Sequence, residues 1–139
     1  MTVGLSKTVV AWLAVLGGPL GLHRFALRGP GDAAAWLHVA ASLVGAVGWW
    51  RLKHEGVDDV AGGALVLALG ASIVAAMVAA LRHALTPDAR WAERHGRPTA
   101  PSGGLAVGAA IVAAFVGATA AISIIAFAIQ RAIELSFVR

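Results

Sequence analysis

Four apolar runs, at residues 8–22, 33–50, 60–81 and 104–129, contain no Asp, Glu, Lys or Arg, so every formal charge of the chain falls between or beyond them. A helix that crosses a bilayer takes about 20 apolar residues, within a range of about 17–25. The last two runs meet that length unaided, and the second is just long enough. The first reaches it by starting near Val3 or Leu5, with Lys7 snorkelling its ammonium to the surface. No alternation of the kind that makes strands is present, and no repeat of 20–50 residues. The expected fold is therefore all-α: a polytopic integral membrane protein built as a four-helix transmembrane bundle, a single membrane domain over residues 1–139.

Composition agrees with a lipid-facing surface. Hydrophobic residues make up 59% of the chain and charged residues 13%, against roughly 25% charged in a soluble domain. The net charge of +4 is carried between apolar runs, which points to anionic lipid headgroups as the partner and not to nucleic acid. There is no cysteine, so disulfides, thiolate chemistry and cysteine-ligated zinc are excluded. Lys7 and the apolar stretch 8–17 have the make-up of a secretory signal. No small-x-small cleavage site follows before Pro19, however, and the segment is read as retained.

The boundaries carry their own chemistry. Asp32 follows Gly29-Pro30-Gly31 and is placed to cap the second helix, and Asp58 and Asp59 the third. Trp49, Trp50 and Arg51 close the second run with interfacial rings and a snorkelling cation. In the first run, Gly17, Gly18, Pro19 and Gly21 predict a short, kinked helix packed against protein, because Pro19 lacks a donor and lipid cannot satisfy the freed groups. The third loop starts Thr86-Pro87-Asp88 and stops at Gly96 and Pro98, which predicts a short helix over 87–95 lying at the headgroup level. Its Arg90, Trp91 and Arg94 are candidate lipid- or partner-binding residues. Small residues recur every four positions along the last two runs, at Ala64, Ala68, Ser72, Ala76 and Ala80, at Ala109, Ala113, Gly117 and Ala121, and at Ala106, Ala110, Ala114 and Ala118. Such ridges let helix backbones approach closely, within one chain or in a homo-oligomer.

Chemistry that an enzyme or an ion-coupled carrier needs is sparse. Carboxylates inside the membrane mark many transport paths, and beyond Thr8 at the start of the first run the runs offer only His38, Ser42, Ser72, Thr119 and Ser123 as polar groups. His38 reads as an interhelical hydrogen-bonding residue. Because His23 ends the first run and His38 begins the second, the two can share a depth, the minimum for a bis-histidine haem or metal site; the simpler expectation is no cofactor and no metal. His54, His83 and His95 fall in expected loops at spacings that match no zinc pattern. No nucleophile set or phosphate loop is evident, so no enzymatic activity is expected.

Around the end of the first run the chain reads Gly17-Gly18-Pro19-Leu20-Gly21-Leu22-His23-Arg24-Phe25-Ala26-Leu27-Arg28-Gly29. This resembles the signature of the TM-two domain family, a two-helix membrane domain whose bacterial members are also called NINE proteins. In that family a glycine-rich helix end leads into His-Arg-Phe-Tyr-Leu-Gly, and a second helix carries Gly and Trp. Gly48-Trp49 matches the second feature. Ala26 stands in place of the Tyr, Arg28 precedes the glycine, and Arg51 and Lys53 stand where an Asp often follows the Trp. The resemblance covers residues 7–56, leaving 57–139 as an additional helical hairpin. It implies the bacterial inner (cell) membrane and no established biochemical activity. His23, Arg24 and Phe25 are the candidate site it singles out, either fixing a tight turn against lipid phosphate or docking a membrane partner.

Two functions follow as expectations. One is a non-enzymatic scaffold, assembly or regulatory component that binds membrane partners and anionic lipid. The alternative is a small oligomeric channel or transporter. For a four-span chain, Lys7, Arg51, Lys53, Arg131 and Arg139 share one side and Arg24, Arg28, Arg82, Arg90, Arg94 and Arg97 the other. Clustering of arginine in the third loop, with the family resemblance, favours cytoplasmic first and third loops and both termini outside.

Overall fold

The computed structural model describes residues 5–96 and 101–137. They form helices α1 (Lys7–Gly17), α2 (Leu22–Arg28), α3 (Ala33–Glu55), α4 (Val60–Leu85), α5 (Asp88–His95) and α6 (Gly104–Phe137), with one 3-10 turn, Gly18–Leu20, between α1 and α2. No strand occurs among the described residues. Three helices, α3, α4 and α6, are long and apolar enough to cross a membrane, or four spans result if the bent pair Lys7–Leu20 and Leu22–Arg28 counts as one.

Helix α4 is the ruler against which the others can be read. Antiparallel α3 meets it at Ser72 with His38, at Leu69 with Gly45, and at its first turn, where Asp59 takes hydrogen bonds from Arg51. Helix α6 is antiparallel to α4 on another side: Gly117 faces Met77, Ile124 faces Gly70 and Phe127 faces Gly63. Ala14 of α1, Ala76, Met77 and Ala80 of α4 and Ala113 of α6 make one buried cluster, and Ala11, Ala84, Ala109 and Ala110 make the next. The expected small-residue ridges are therefore partly used. Ser72, Ala76, Ala80, Ala109 and Ala113 are buried, whereas Ala64, Ala114 and Ala118 are exposed. Association by close backbone approach is what an alanine core in lipid relies on, since apolar contact alone gives no preference over acyl chains.

Two findings depart from the sequence reading. Lys7 does not sit with Arg51, Lys53 and Arg131. Its ammonium donates to the Thr86 carbonyl at 2.7 Å and pairs with Asp88 at 2.9 Å, at the opposite end of α4. The first run, moreover, is not a through-going helix. The axis turns by 119° at Gly21, and Lys7–Leu20 rises only about 21 Å at about 1.5 Å per residue, short of the ~30 Å hydrocarbon core. The Pro19 carbonyl, at its far end, lies at the middle of α4, where it accepts from Ser72 Oγ at 3.2 Å and from Ser42 Oγ at 2.6 Å. Helix α2 then heads back towards His83 and the end of α4 from which α1 set out. The kink was expected from the glycines and Pro19; the reversal was not. Both Asp32 and Asp59 cap their helices as expected, and the third-loop helix begins at Asp88, with Pro87 as its N-cap.

Two glycines hold these positions. Gly21 has φ +72°, and a β-carbon on it would lie 2.7 Å from the Ala35 carbonyl oxygen. A β-carbon on Gly48 would lie 2.6 Å from the Val66 nitrogen and 2.7 Å from the Gly62 oxygen. Backbone rather than flexible side chain blocks both. Gly21→Ala and Gly48→Ala are each expected to destabilise the protein by about 1–3 kcal/mol, read as a lower thermal unfolding midpoint of the detergent-solubilised chain. Gly96→Ala, in the same left-handed conformation (φ +67°) and with nothing within 4 Å of its β-carbon, should cost less than Gly21→Ala; an equal loss would mean that backbone strain alone, and not the Ala35 contact, governs the turn.

Candidate functional site

The helix reversal gathers polar side chains along one line. Starting at mid-depth, the Pro19 carbonyl holds the Ser42 and Ser72 hydroxyls. Ser72 Oγ lies 2.8 Å from His38 Nδ1. The His38 ring meets His23 edge-on at 5.6 Å between centroids, and His23 lies 6.0 Å from His83. His83 is T-shaped to Trp91 at 5.7 Å, and Trp91 stacks on His95 at 4.1 Å. Five elements contribute: the 3-10 turn before α2, then α2, α3, α4 and α5. His23 is only 2% exposed, and its Nδ1 has no hydrogen-bond partner among the described residues. Leaving such a nitrogen buried and unpaired is costly.

The six residues singled out from the sequence divide by environment. His23 is in the line just described. Arg24 donates to Asp32 at 3.1 Å, joining α2 to the cap of α3. Phe25 packs edge-on against Trp36 at 5.3 Å, and Trp36 Nε1 donates to the Pro30 carbonyl at 2.8 Å. His-Arg-Phe thus stitches the hairpin to α3 through three different contacts. Trp91, expected at the headgroup level with His95, turns inwards and is 2% exposed. Arg90 and Arg94 are exposed; Arg94 lines a cavity of about 310 Å³ together with Arg28, Arg82, His83, Thr86 and His95.

The apolar runs, which stop at Trp50 and Leu81, leave His54 and His83 in loops, but α3 continues to Glu55 and α4 to Leu85, so both are helical. The cue was present: His83 stands seven positions beyond Ala76 and so falls on its face of the helix. The His23–His38 proximity was anticipated. Among the described residues, no group of three or more His, Cys, Asp or Glu is arranged to hold a metal ion.

Ion pairs sort the two ends of the bundle. At one end Arg51 Nε donates to Asp59 at 2.8 Å, which holds the Asp59 carboxyl below the usual carboxylate range. At the other, the Lys7 hydrogen bond, followed by that from the Ser102 backbone, holds the Asp88 carboxyl low against the opposing effect of burial. No family model, no curated protein and no solved structure matches this chain.

The Lys7–Asp88 contact gives a pH signature. A carboxyl whose pKa is lower in the folded state adds stability above its unfolded pKa, and loses it as pH falls through the folded value. The unfolded reference here is 3.8. Docking of α1 on α5 should therefore hold from neutral pH down to about 4 and weaken below. Asp88→Asn should lower the thermal midpoint at neutral pH and flatten its fall in that acid range. A midpoint that drops equally in wild type and Asp88→Asn below pH 4 would assign the acid sensitivity to other carboxylates.

Proposed function

We propose that this chain is a non-enzymatic membrane scaffold of the bacterial inner membrane, a long member of the TM-two domain family. It crosses the bilayer three times and dips into it once, and its basic end binds anionic lipid and membrane partners. The observation that carries this reading is the uneven division of charge. Lys7, Arg24, Arg28, Arg82, Arg90 and Arg94 belong to the end that holds α5, against Arg51, Lys53 and Arg131 at the other, six to three among the described residues. Carboxylates run the other way: Asp32, Asp88 and Glu93 against Glu55, Asp58, Asp59 and Glu134, three to four. Moving Lys7 across the bundle turns a near balance into a clear positive-inside bias. The α5 end is then cytoplasmic, the segment leading into α1 lies on the same side, and the chain after α6 lies outside.

Support for a scaffold comes from how the polar groups in the apolar runs are used. Ser42 and Ser72 bond Pro19, and Thr119 and Ser123 bond the carbonyls of the preceding turn, so each serves helix structure or helix packing. The family assignment rests on the Gly-rich helix end, His23-Arg24-Phe25 and Gly48-Trp49. A second reading, a small channel or transporter, is favoured by one observation, the histidine line with its unpartnered His23 nitrogen. That line runs from the basic end only to mid-depth; beyond it α3 and α4 close through Gly45, Gly48 and Gly62.

The absence of cysteine makes single-cysteine labelling a direct test of orientation. Ser6→Cys should react with a membrane-impermeant thiol reagent only in inverted vesicles, and Glu55→Cys only in intact cells. Alkaline phosphatase fused after Arg139 should be active. Labelling of Ser6→Cys and Glu55→Cys both from outside would restore four crossings, and labelling of Ser6→Cys alone from outside would invert the orientation. In reconstituted liposomes the chain should give no proton or ion flux above empty vesicles; a flux lost in His38→Ala would replace the scaffold with the transporter.

A further inference from the structure

Four of the nine basic side chains among the described residues have a close carboxylate. Lys7 pairs at 2.9 Å, Arg24 at 3.1 Å, Arg51 at 2.8 Å and Arg131 at 2.6 Å. The three arginines around the 310 Å³ cavity do not fit that pattern. No described carboxylate lies within salt-bridge distance of Arg82 or Arg94, and Arg28 reaches only Asp32, at 3.7 Å, an acid already held by Arg24. No Asp or Glu lines the cavity; His83, Thr86, Trp91 and His95 complete its polar wall. Three like charges facing one concavity repel one another unless an anion sits among them.

The cavity does not end at the protein surface. A second groove, of about 500 Å³, shares Arg82, Thr86 and Arg94 with it and runs along Val78, Leu81 and Leu85 of α4. Val78 is 50% and Leu85 69% exposed, on a helix that belongs in lipid. Polar mouth and apolar trough meet at the last turn of α4, the level at which headgroup phosphates lie if α4 spans the bilayer. A free phosphate would use only the mouth. An acyl chain in the trough explains why the two are continuous.

We propose that these two concavities form one site for a phospholipid with a phosphomonoester headgroup, its phosphate among Arg28, Arg82 and Arg94 and one acyl chain along Val78, Leu81 and Leu85. The monoester is favoured over a phosphodiester by charge. It carries about −1.5 to −2 at pH 7 and three acceptor oxygens, against a single charge on the diester, and it faces three guanidiniums suited to bidentate phosphate contacts. The inference rests on the reading of this end as the face that meets the anionic leaflet, and narrows it from a diffuse surface attraction to one lipid.

The test is lipid binding to the full chain in zwitterionic nanodiscs, followed by native mass spectrometry and thermal midpoint. Phosphatidic acid, phosphatidylglycerol, phosphatidylcholine and inorganic phosphate are added in separate arms. Phosphatidic acid should bind about tenfold or more tightly than phosphatidylglycerol and raise the midpoint, and inorganic phosphate at the same concentration should do neither. Arg82→Gln with Arg94→Gln should remove the phosphatidic acid preference, about tenfold per guanidinium lost. Lys53→Gln at the other end should keep it. Leu85→Ser should weaken lipid binding while leaving the unliganded midpoint near wild type, which separates loss of the trough from loss of the fold. Equal binding of phosphatidic acid and phosphatidylglycerol, unchanged by the arginine pair, would overturn the site but leave a general anionic preference standing. Equal binding of all three lipids would overturn that preference as well. An equal midpoint shift from inorganic phosphate would make the cavity an anion site and overturn the lipid assignment.

Discussion

Interrupting a helix at the depth of a bilayer core frees peptide carbonyls that lipid cannot hydrogen-bond. In this protein that demand falls on Pro19. Its carbonyl lies at the middle of α4 and receives two hydroxyls, one from Ser42 of α3 and one from Ser72 of α4. The two donors come from different helices, so satisfying one carbonyl also fixes where α3 and α4 stand relative to the hairpin. Ser72 in turn is shared with His38. At the left-handed turn (φ +72°) Ala35 of α3 packs so closely that position 21 has no room for a β-carbon.

The rest of the architecture follows from the hairpin's half depth. With α1 and α2 both opening to one end, Lys7, Arg24 and Arg28 join the arginines of the α4–α5 region, and that end becomes strongly basic. The ends differ in kind as well as in charge. Arg51 and Arg131 are absorbed, the first by Asp59 and the second by Glu134 and the Val57 carbonyl, closing the helix ends they lie beside. At the other end α5 crosses the mouth of the hairpin and leaves a cavity where α2, α4 and α5 meet. Both ends carry ion pairs, and the α5 end has in addition arginines facing a concavity.

Much of this was legible in the chain, and the reason differs by element. Helices α3, α4 and α6 follow from apolar runs that need no tertiary partner to be recognised, and Asp32 and Asp59 cap where glycine-containing loops end. The residues His23, Arg24 and Phe25 were singled out by resemblance, and each makes a contact that stabilises the hairpin on α3 or α4. What could not be read was the hand of Gly21. Glycine is equally at ease on both sides of the φ map, so Gly-Gly-Pro-Leu-Gly is as compatible with a kinked span as with a reversal. The side on which Lys7 emerges hangs on that one dihedral, and the whole count of basic residues hangs on Lys7. Its partners Thr86 and Asp88 lie some eighty residues away, beyond any local pattern. Trp91 was misjudged for a related reason: an eight-residue amphipathic helix at a membrane surface presents the same sequence whether its ring faces lipid or protein, and here His83, one turn deeper than the apolar run suggested, receives it.

The histidine line and the basic cavity are two consequences of one geometry, and they explain each other's position. A buried His23 nitrogen with no partner is tolerable only near a polar environment, and the ring stack through His83 to Trp91 and His95 leads to the cavity in which Arg28, Arg82 and Arg94 stand. Beyond Pro19 the opposite holds. There α3 and α4 approach so closely that Gly48 touches the backbone of Gly62 and Val66, and no polar side chain lies between them until Arg51 meets Asp59. The groove between α3, α4 and α6 on that side is walled by Leu69, Ile73, Ile124 and Phe127, with the Ser123 hydroxyl beside them. The histidine line and the basic cavity therefore share one half of the bundle, and the half beyond Pro19 is held together by apolar and backbone contact.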